Sequence, residues 1–276
     1  MRTRGRPQVT SSPLCGPNGK TAEIPAIRLL GLPVHMVRMN EVVSMMNKWI
    51  TEDRTRGRWI AVADASAVIR SHQEREFKGL LMQSDVIVPG GVSLLLAGRY
   101  YGFDLPGRVT GIDLMKAYFE ASAWSGVRHY FVGDTTPTLG FIMARLRKRF
   151  PGLIVAGSAS PSDRQPAAEE DGDIVARINA ARPDILWVGL SSPKQEQWIA
   201  EHRGQLQVPL VLSVGTALKY FAGTAKRAPR WMVKAGLEWL WKFFQEPRRM
   251  WRRVFINGPQ FIGRVGLELG KVRKYD

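Results

Sequence analysis

The stretch DILWVGLSSPKQEQW, residues 184–198, decides the fold, because an apolar run of strand length, a polar loop and a helical segment follow one another in it. Four other apolar runs end in a similar loop: WIAVADAS (59–66), DVIVPGG (85–91), HYFVGD (129–134) and PLVLSVGT (209–216). Helical patterns separate the runs, among them the surface-helix pattern SHQEREFKGLLMQS (71–84), LGFIMARLRKRFPG (139–152) and DGDIVARINAARP (171–183). Strands that alternate with helices in this way predict a doubly wound α/β sheet of parallel strands.

Small and polar residues follow the predicted strands, where a parallel α/β sheet collects its ligands. They are Asp64, Pro89-Gly90-Gly91, Gly133-Asp134, Gly189, residues 191–196 and Gly215-Thr216. A glycine turn lets backbone N–H groups approach a phosphate, and the next helix N-terminus favours an anion. Each turn by itself is equally compatible with an ordinary chain reversal. Together they predict where a site lies and leave its chemistry open.

Composition indicates a folded protein whose partners carry negative charge. The 276 residues contain 40 Lys and Arg against 24 Asp and Glu, a net charge of +16, and such a charge attracts polyanions or an anionic membrane. No apolar run reaches the roughly 18 residues that a membrane span needs. We expect residues 1–24 to form a flexible tail rather than a signal peptide. The single Cys15 in this tail is consistent with a reducing compartment, so we expect a cytoplasmic protein.

After Gly223 the sequence becomes basic and rich in tryptophan. Residues 219–276 hold 14 Lys and Arg against 4 Asp and Glu, and four tryptophans fall between residues 231 and 251. Pro229 and Pro247 suit the first turns of two helices. In the second helix we expect Met250, Trp251, Val254 and Phe255 on one face and arginines on the other. This pattern is typical of a helix in the headgroup layer of a membrane, and an amphipathic helix packed on its own core remains the alternative.

Several classes of function find no support in the sequence. The four histidines are scattered without the spacing of a metal site, so we expect no metal and no cofactor. No G-x-G-x-x-G follows a predicted strand, and no nucleophile-elbow motif accompanies a Ser-His-Asp order. No motif of a nucleic-acid-binding fold is present, which argues against nucleic acid as the polyanionic partner.

The order of the motifs resembles one family. RVTGIDLM (108–115), FVGD (131–134), RFPGLIVAGSASP (149–161), DILWVGLSSPKQEQW (184–198) and KRAPRWMVKAGLEWLWKFFQEPRRMWRR (226–253) resemble the WecG/TagA/CpsF glycosyltransferases. The resemblance implies an inverting, metal-independent enzyme with a Rossmann-like core, residues 25–223, and a helical, basic, membrane-associating appendage, residues 224–276. It implies transfer of a hexose or N-acetylhexosamine from a UDP-sugar to a polyprenyl-diphosphate-linked saccharide. The products of such enzymes are exopolysaccharides or cell-wall polymers, made at the inner face of the plasma membrane.

The resemblance also assigns site residues. It places Arg108, Thr110, Gly111 and Asp113 near the sugar and phosphate, and Lys194, Gln195 and Glu196 at the substrate, with Gln195 in contact with it. Arg227 and the basic residues of the appendage would meet a diphosphate, which suits a guanidinium fork. We count Gly133, Gly189 and Gly215 among the substrate-binding residues. The expected lipid or membrane contacts are Trp231, Arg248, Arg249, Trp251 and Arg252.

Three positions depart from the pattern of the family. Gly90 stands where the family carries the aspartate of a P-D-G turn, its proposed base; Val62-Ala63-Asp64 replaces T-x-N, and Leu218-Lys219-Tyr220 replaces F-D-F. One hypothesis is that Asp64, at the end of a neighbouring strand, takes over as base. The other is a catalytically weakened homologue that binds donor or lipid as an assembly partner. The sequence is compatible with a homo-oligomer and does not name the sugar, the acceptor or the linkage.

Overall fold

The computed structural model describes residues 9–14, 22–52, 54, 57–133, 135–161 and 168–269. Within this part of the chain, six parallel strands form one sheet in the order β5-β4-β9-β8-β6-β7. The strands are β4 (Arg58–Ala63), β5 (Val86–Pro89), β6 (Arg128–Val132), β7 (Ile154–Ala159), β8 (Ile185–Val188) and β9 (Leu210–Ser213). Because four of them are buried almost throughout, they read as continuous apolar runs, as expected for parallel strands covered on both faces.

Helices cover both faces of the sheet, which confirms the predicted doubly wound α/β fold. The described helices of the core are α1 (Met39–Glu52), α2 (Ala65–Gln73), α3 (Arg75–Leu81), α4 (Val92–Tyr100), α5 (Gly111–Ser122), α6 (Thr136–Arg149), α7 (Ala168–Ala181), α8 (Lys194–His202) and α9 (Ala217–Ala222). Side chains of α2, α3, α4, α7 and α8 join one apolar cluster with Trp59. Side chains of α1, α5, α6 and α9 join the other cluster with Trp187.

The chain winds outward from β4 to β5, crosses to β6 and β7, and returns through β8 to β9 beside β4. Strand order therefore reverses near β4 and β9, where a crevice opens at the carboxyl ends of the strands. Register places Ala63 opposite Pro89 and Ala61 opposite Ser213. The loops that follow β4, β5 and β9 consequently leave the same edge of the sheet side by side.

The N-terminal region differs from the predicted flexible tail. Val9–Leu14 forms a strand, β1, that pairs antiparallel with β2 (Ala22–Leu29), and β2 pairs with β3 (Leu32–His35). The Ile87 N–H donates to His35 Nδ1 at 3.0 Å, so this small sheet lies against edge strand β5. Burial lowers the pKa of His35 and favours the neutral ring that can accept this bond. Cys15 lies outside the described residues.

The C-terminal region is helical, as predicted. Its described elements are α10 (Arg230–Lys234), α11 (Glu238–Gln245), α12 (Pro247–Arg252), a π-helical turn (Arg253–Asn257) and α13 (Gly258–Leu269). It packs back on the core: Phe261 and Val265 of α13 join the apolar cluster of α2, and Gln73 Nε2 donates to Gln260 Oε1 at 2.9 Å. None of the described helices has the length and apolar character to span a bilayer.

Candidate active site

A cavity of about 520 Å³ lies at the carboxyl edge of the sheet. Its walls come from the loops after β4, β5, β8 and β9, from α2, from the start of α5 and from the C-terminal helices. The polar and charged residues that line it are Asp64, Ser66, Arg70, Gln73, Glu74, Thr110, Ser191, Ser192, Gln195, Glu196, Thr216, Tyr220, Arg227, Glu238, Trp241, Lys242, Arg252 and Asn257. The core contributes three carboxylates to this cavity, and the C-terminal appendage contributes three of its four cations, Arg227, Lys242 and Arg252.

Asp64 lines the cavity from the strand beside the one that ends at Gly90, as expected from the sequence. Its side chain also caps α2, because Oδ1 accepts the N–H of Ala67 at 3.0 Å. A helix begins here because an N-terminal carboxylate satisfies a backbone N–H that has no partner within the helix. Asp64 thus combines a structural contact with a position in the wall of the site.

Gly90 has a steric reason to lack a side chain. A β-carbon at this position would lie 2.6 Å from Val62 Cγ1 and 3.1 Å from the carbonyl oxygen of Ala63. Val62 is β-branched and stiff, so it has little freedom to move aside. The carboxylate that the family resemblance implies at this turn is therefore absent, and the packing of Val62 leaves no space for a side chain there.

Gln195 and Glu196 occupy the first turn of α8 and are both 3% exposed. The Gly215 N–H donates to Gln195 Oε1 at 2.9 Å, and Gln195 Nε2 donates to Glu196 Oε1 at 2.7 Å. The other oxygen, Glu196 Oε2, is buried and makes no hydrogen bond of normal geometry with the described residues. Burial raises the pKa of Glu196 above 4.5, and the charge of Asp64 adds to the rise; the Gln195 and Ser192 side chains oppose it.

The start of α5 forms the floor of the site through a capping arrangement. Thr110 is the N-cap, since its Oγ1 accepts the N–H of Asp113 at 3.1 Å, and it donates to Asp113 Oδ2 at 2.7 Å. A β-carbon on Gly111 would lie 2.8 Å from the carbonyl oxygen of Val214, so only glycine lets α5 approach the β9 loop this closely. Thr110 and Gly111 line the cavity, as the sequence led us to expect.

Arg108 and Asp113 form ion pairs with residues of the C-terminal appendage. Arg108 Nη1 donates to Glu238 Oε2 at 2.5 Å, and Arg227 Nη2 donates to Asp113 Oδ1 at 2.6 Å. Two ion pairs therefore connect the α5 region with the appendage. The structure brings Arg227 to the cavity and leaves Arg108 and Asp113 outside its lining residues.

The predicted glycines divide into one that lines the cavity and two that pack behind it. Gly215, with φ +58°, lines the cavity and supplies the N–H that holds Gln195. A β-carbon on Gly133 would lie 2.7 Å from the backbone of Gly189, and one on Gly189 would lie 2.2 Å from Leu218 Cδ1. Gly133 and Gly189 are thus close-packing positions, and Lys194 is likewise absent from the lining.

The appendage closes the cavity with residues that the sequence did not mark as site residues: Glu238, Trp241, Lys242 and Asn257. Trp241 Nε1 and Gln245 Nε2 both donate to the carbonyl oxygen of Lys226, at 3.1 and 3.0 Å, and this fixes α11 over the segment that carries Arg227. The stretch GLEWLWK, residues 236–242, belongs to the C-terminal motif that carries the family resemblance. Only the packing of α11 shows that Trp241 and Lys242 face the site while Trp239 is exposed.

The expected lipid contacts divide between the cavity and the surface. Arg252 lines the cavity, whereas Trp231, Arg248 and Trp251 are exposed and lie outside its lining. The side chain of Arg249 is outside the described residues. The predicted apolar face of the second helix is divided, because Met250 is buried while Trp251 and Phe255 point outward. Among the described residues no cluster of potential metal ligands is present.

Comparison with known proteins identifies the family. The family described as "Glycosyl transferase WecG/TagA/CpsF" matches residues 27–275. Three relatives carry the name N-acetylglucosaminyldiphosphoundecaprenol N-acetyl-beta-D-mannosaminyltransferase. The protein of Bacillus spizizenii is 25% identical over 77% of this chain and 80% of its own length. That of Bacillus subtilis is 25% identical over 73% and 77%. That of Staphylococcus aureus is 26% identical over 90% and 95%. The chain is a glycosyltransferase and belongs to the WecG/TagA/CpsF family.

Proposed function

We propose that this glycosyltransferase moves a hexose or N-acetylhexosamine from a UDP-sugar to a saccharide on a polyprenyl diphosphate, with inversion. The names of the relatives support a lipid diphosphate as carrier of the acceptor and N-acetylmannosamine as one candidate sugar. The observation that carries the proposal is the cavity itself, where core carboxylates face Arg227, Lys242 and Arg252 of the appendage. One side suits deprotonation of a hydroxyl, and the other suits phosphate.

The reaction is a single displacement at the anomeric carbon. A cavity carboxylate accepts the proton of the acceptor hydroxyl, and Asp64 is the candidate that the sequence names for this step. Gln195 holds the substrate beside it. The departing UDP gains negative charge, which the guanidinium groups of Arg227 and Arg252 and the backbone amides of the glycine turns stabilise without a metal ion. The family assignment and the composition of the cavity walls support this arrangement.

The exposed aromatic and basic side chains of the appendage hold the enzyme at the inner face of the plasma membrane. Trp231, Trp239, Phe244, Trp251 and Phe255 are exposed in a region that also carries Arg248 and Arg252. Monomeric soluble proteins rarely expose so many large apolar side chains in one region, and aromatic residues among cations suit the headgroup layer. A lipid-linked acceptor at that surface would reach the cavity over the rim formed by α12.

A second candidate function is that of a weakened homologue, which binds donor or lipid and assists another transferase. It is favoured by the glycine at position 90 and by the engagement of Asp64 in capping α2. General-base help contributes about 10²–10⁴-fold to a rate, so its loss would slow transfer and leave binding intact.

The deciding experiment measures UDP release by the purified protein in EDTA, with a panel of UDP-sugars and a short polyprenyl-diphosphate saccharide. We expect turnover that depends on the acceptor and occurs with one donor, which would also name the sugar. Donor binding by calorimetry without turnover would favour the second candidate. In the active protein, Asp64→Asn should slow transfer, and an unchanged rate would contradict any role of Asp64 in the reaction.

A further inference from the structure

Three carboxyl groups of the core line the cavity. Glu74 is half exposed and pairs with Arg70, whereas the other two come from two parallel strands on either side of β9. Asp64 follows β4, and Glu196 lies in the first turn of α8, after β8. The proposed function needs one of them to take a proton from the acceptor hydroxyl. Their contacts differ, and the difference indicates which one does so.

The Asp64 carboxylate is engaged in a structural hydrogen bond. Its Oδ1 accepts the Ala67 N–H and thereby caps α2. This oxygen already has a hydrogen-bond donor within the protein, and turning it toward a substrate would leave the Ala67 N–H without its cap. Asp64 is thus well suited to fix the start of α2 and to place a negative charge in the cavity wall.

Glu196 has one oxygen with a partner and one without. Oε1 accepts from Gln195 Nε2 at 2.7 Å, whereas Oε2 makes no hydrogen bond of normal geometry with any described residue. The side chain lines the cavity and is 3% exposed. A buried carboxyl oxygen without a donor is unfavourable in a folded protein. Its presence in a cavity wall points to a substrate group that supplies the missing hydrogen bond.

Gln195 fixes the direction of the Glu196 carboxyl. Because the Gly215 N–H can donate only to an oxygen, it determines which end of the Gln195 amide is Oε1. The Nε2 end must then face Glu196, where it donates to Oε1. These two hydrogen bonds therefore leave Oε2 as the oxygen of the Glu196 carboxyl that remains for a ligand.

We propose that Glu196 Oε2 accepts the proton of the acceptor hydroxyl and that Asp64 and Gln195 are its positioning residues. This inference rests on the proposed function and gives Glu196 the role that the sequence suggested for Asp64. The O–H bond of the acceptor breaks and its proton passes to Oε2. The hydroxyl oxygen forms the new bond to the anomeric carbon, while the bond from that carbon to the phosphate oxygen breaks and UDP leaves with the electron pair.

The surroundings of the Glu196 carboxyl raise its pKa, which strengthens it as a proton acceptor. Burial and the charge of Asp64 raise the pKa of Glu196, and a general base is most effective when its pKa lies near the working pH. The other charged or titratable side chains of the cavity are Arg70 on α2, Glu74 between α2 and α3, Tyr220 on α9, and Arg227, Glu238, Lys242 and Arg252 of the appendage. The Asp64→Asn variant removes one negative charge from this set and keeps all the other side chains.

The test compares the pH dependence of kcat in the full-length wild type, Glu196→Gln and Asp64→Asn, with the exposed Glu201→Gln on the same helix as matched control. We expect Glu196→Gln to lose about 10²–10⁴-fold in kcat and to lose the rise in rate at acidic pH. Asp64→Asn should lose less and move that rise to lower pH, because it removes the negative charge beside Glu196. Glu201→Gln should match the wild type.

The outcomes separate the two proposals. A wild type that turns over, combined with a Glu196→Gln variant that keeps its rate and pH profile, overturns the assignment of Glu196 and leaves the transferase in place. The same holds if Asp64→Asn, and not Glu196→Gln, abolishes the acidic limb. A wild type that binds donor and transfers no sugar from the whole panel overturns the proposed function, and the role of Glu196 with it.

Discussion

At Gly90, the close approach of Val62 predicts how the protein responds to a side chain, because an added β-carbon would lie only 2.6 Å from Val62 Cγ1. Gly90→Ala should lower the free energy of unfolding by about 1–3 kcal/mol, because overpacking forces a stiff β-branched neighbour to move. Val62→Ala in the same chain should restore part of this loss, since it removes the atom that clashes. The measurement is urea unfolding of the two single variants and the double variant.

Gly107→Ala is the matched control for this cycle, because a β-carbon there meets nothing within 4 Å. Its effect should stay within about 0.5 kcal/mol, as for most surface substitutions. A Gly90→Ala protein as stable as the wild type would contradict the steric explanation. The absence of a carboxylate at this turn would then have no structural cause in the packing of Val62.

Glu196 also predicts a pH dependence of stability. Burial raises its pKa above 4.5 in the folded state, so the folded protein binds this proton more tightly than the unfolded chain does. Stability contributed by this group is therefore present at low pH and declines as pH rises from 4.5 through the raised pKa. Each tenfold difference in proton affinity corresponds to about 1.4 kcal/mol. Relative to the wild type, Glu196→Gln should gain stability across that window and then level off.

The measurement is the free energy of unfolding of wild type and Glu196→Gln from about pH 4 upward in steps, with Glu201→Gln beside them. A difference between Glu196→Gln and wild type that stays constant with pH would mean that Glu196 titrates alike in both states. If the Glu196 carboxyl were purely structural, its substitution would lower the free energy of unfolding of the protein at every pH. A gain at neutral pH instead marks a residue kept for function at the expense of stability.

The sequence predicted where the site residues lie better than it predicted what their side chains contact. It placed twelve catalytic or substrate-binding residues at the site. Seven of them line the cavity, namely Asp64, Thr110, Gly111, Gln195, Glu196, Gly215 and Arg227, whereas Arg108, Asp113, Gly133, Gly189 and Lys194 do not. The ends of parallel strands meet at one edge, so position along the chain is enough for that prediction. Burial of Glu196, and the hydrogen bond that takes up only one of its oxygens, depend on how α8 sits against the β9 loop. No local pattern encodes this contact.

At the scale of elements, the short apolar runs predicted the parallel strands, whereas two local features of the secondary structure were not predicted from the sequence. Residues 71–84 read as one surface helix, yet the chain breaks at Glu74 into α2 and α3. Val9–Leu14 forms β1 although its sequence, VTSSPL, lacks the apolar alternation of a strand. Its partner strand β2 supplies the backbone hydrogen bonds, so pairing overrides local propensity there.

Two ion pairs between the α5 region and the appendage should differ in strength. The side chains of Arg108 and Glu238 are 15% and 20% exposed, and those of Arg227 and Asp113 are 36% and 34% exposed. A less exposed pair is screened less by water, and its partner suffers more when left alone. Double-mutant cycles with Arg108→Met and Glu238→Gln should give a coupling energy of about 1–3 kcal/mol. Cycles with Arg227→Met and Asp113→Asn should give less than about 1 kcal/mol.

The cycles are measured by urea unfolding at two salt concentrations. The weaker pair should lose most of its coupling at high salt, since screening acts mainly on exposed charges. A coupling between Arg108 and Glu238 no larger than that between Arg227 and Asp113 would contradict the prediction that the less exposed pair is the stronger one.

At the scale of the whole molecule, charge and exposed apolar surface fall in the same region. Residues 219–276 carry a net charge of +10 from 14 basic and 4 acidic residues, and seven of the exposed large apolar side chains lie there. The same segment contributes Arg227, Trp241, Lys242 and Arg252 to the cavity. Binding of this region to a membrane would therefore place the cavity rim at the lipid surface, where the proposed lipid-linked acceptor would lie.

The membrane proposal predicts co-sedimentation with vesicles that depends on both charge and aromatic residues. The wild type should bind vesicles that contain anionic lipid, bind neutral vesicles weakly, and dissociate as salt rises, because each basic residue near the surface contributes about 1 kcal/mol that salt screens. Trp251→Ser with Phe255→Ser should lower the partition coefficient at least about tenfold, since a buried aromatic side chain is worth roughly 1.5–3 kcal/mol.

Trp124→Ser is the matched control, because Trp124 is 83% exposed and lies outside the appendage. If the control and the double variant lose binding equally, or if neutral vesicles bind as well as anionic ones, the appendage does not dock in the way that its surface indicates. Exposed aromatic residues would then need a protein partner to cover them.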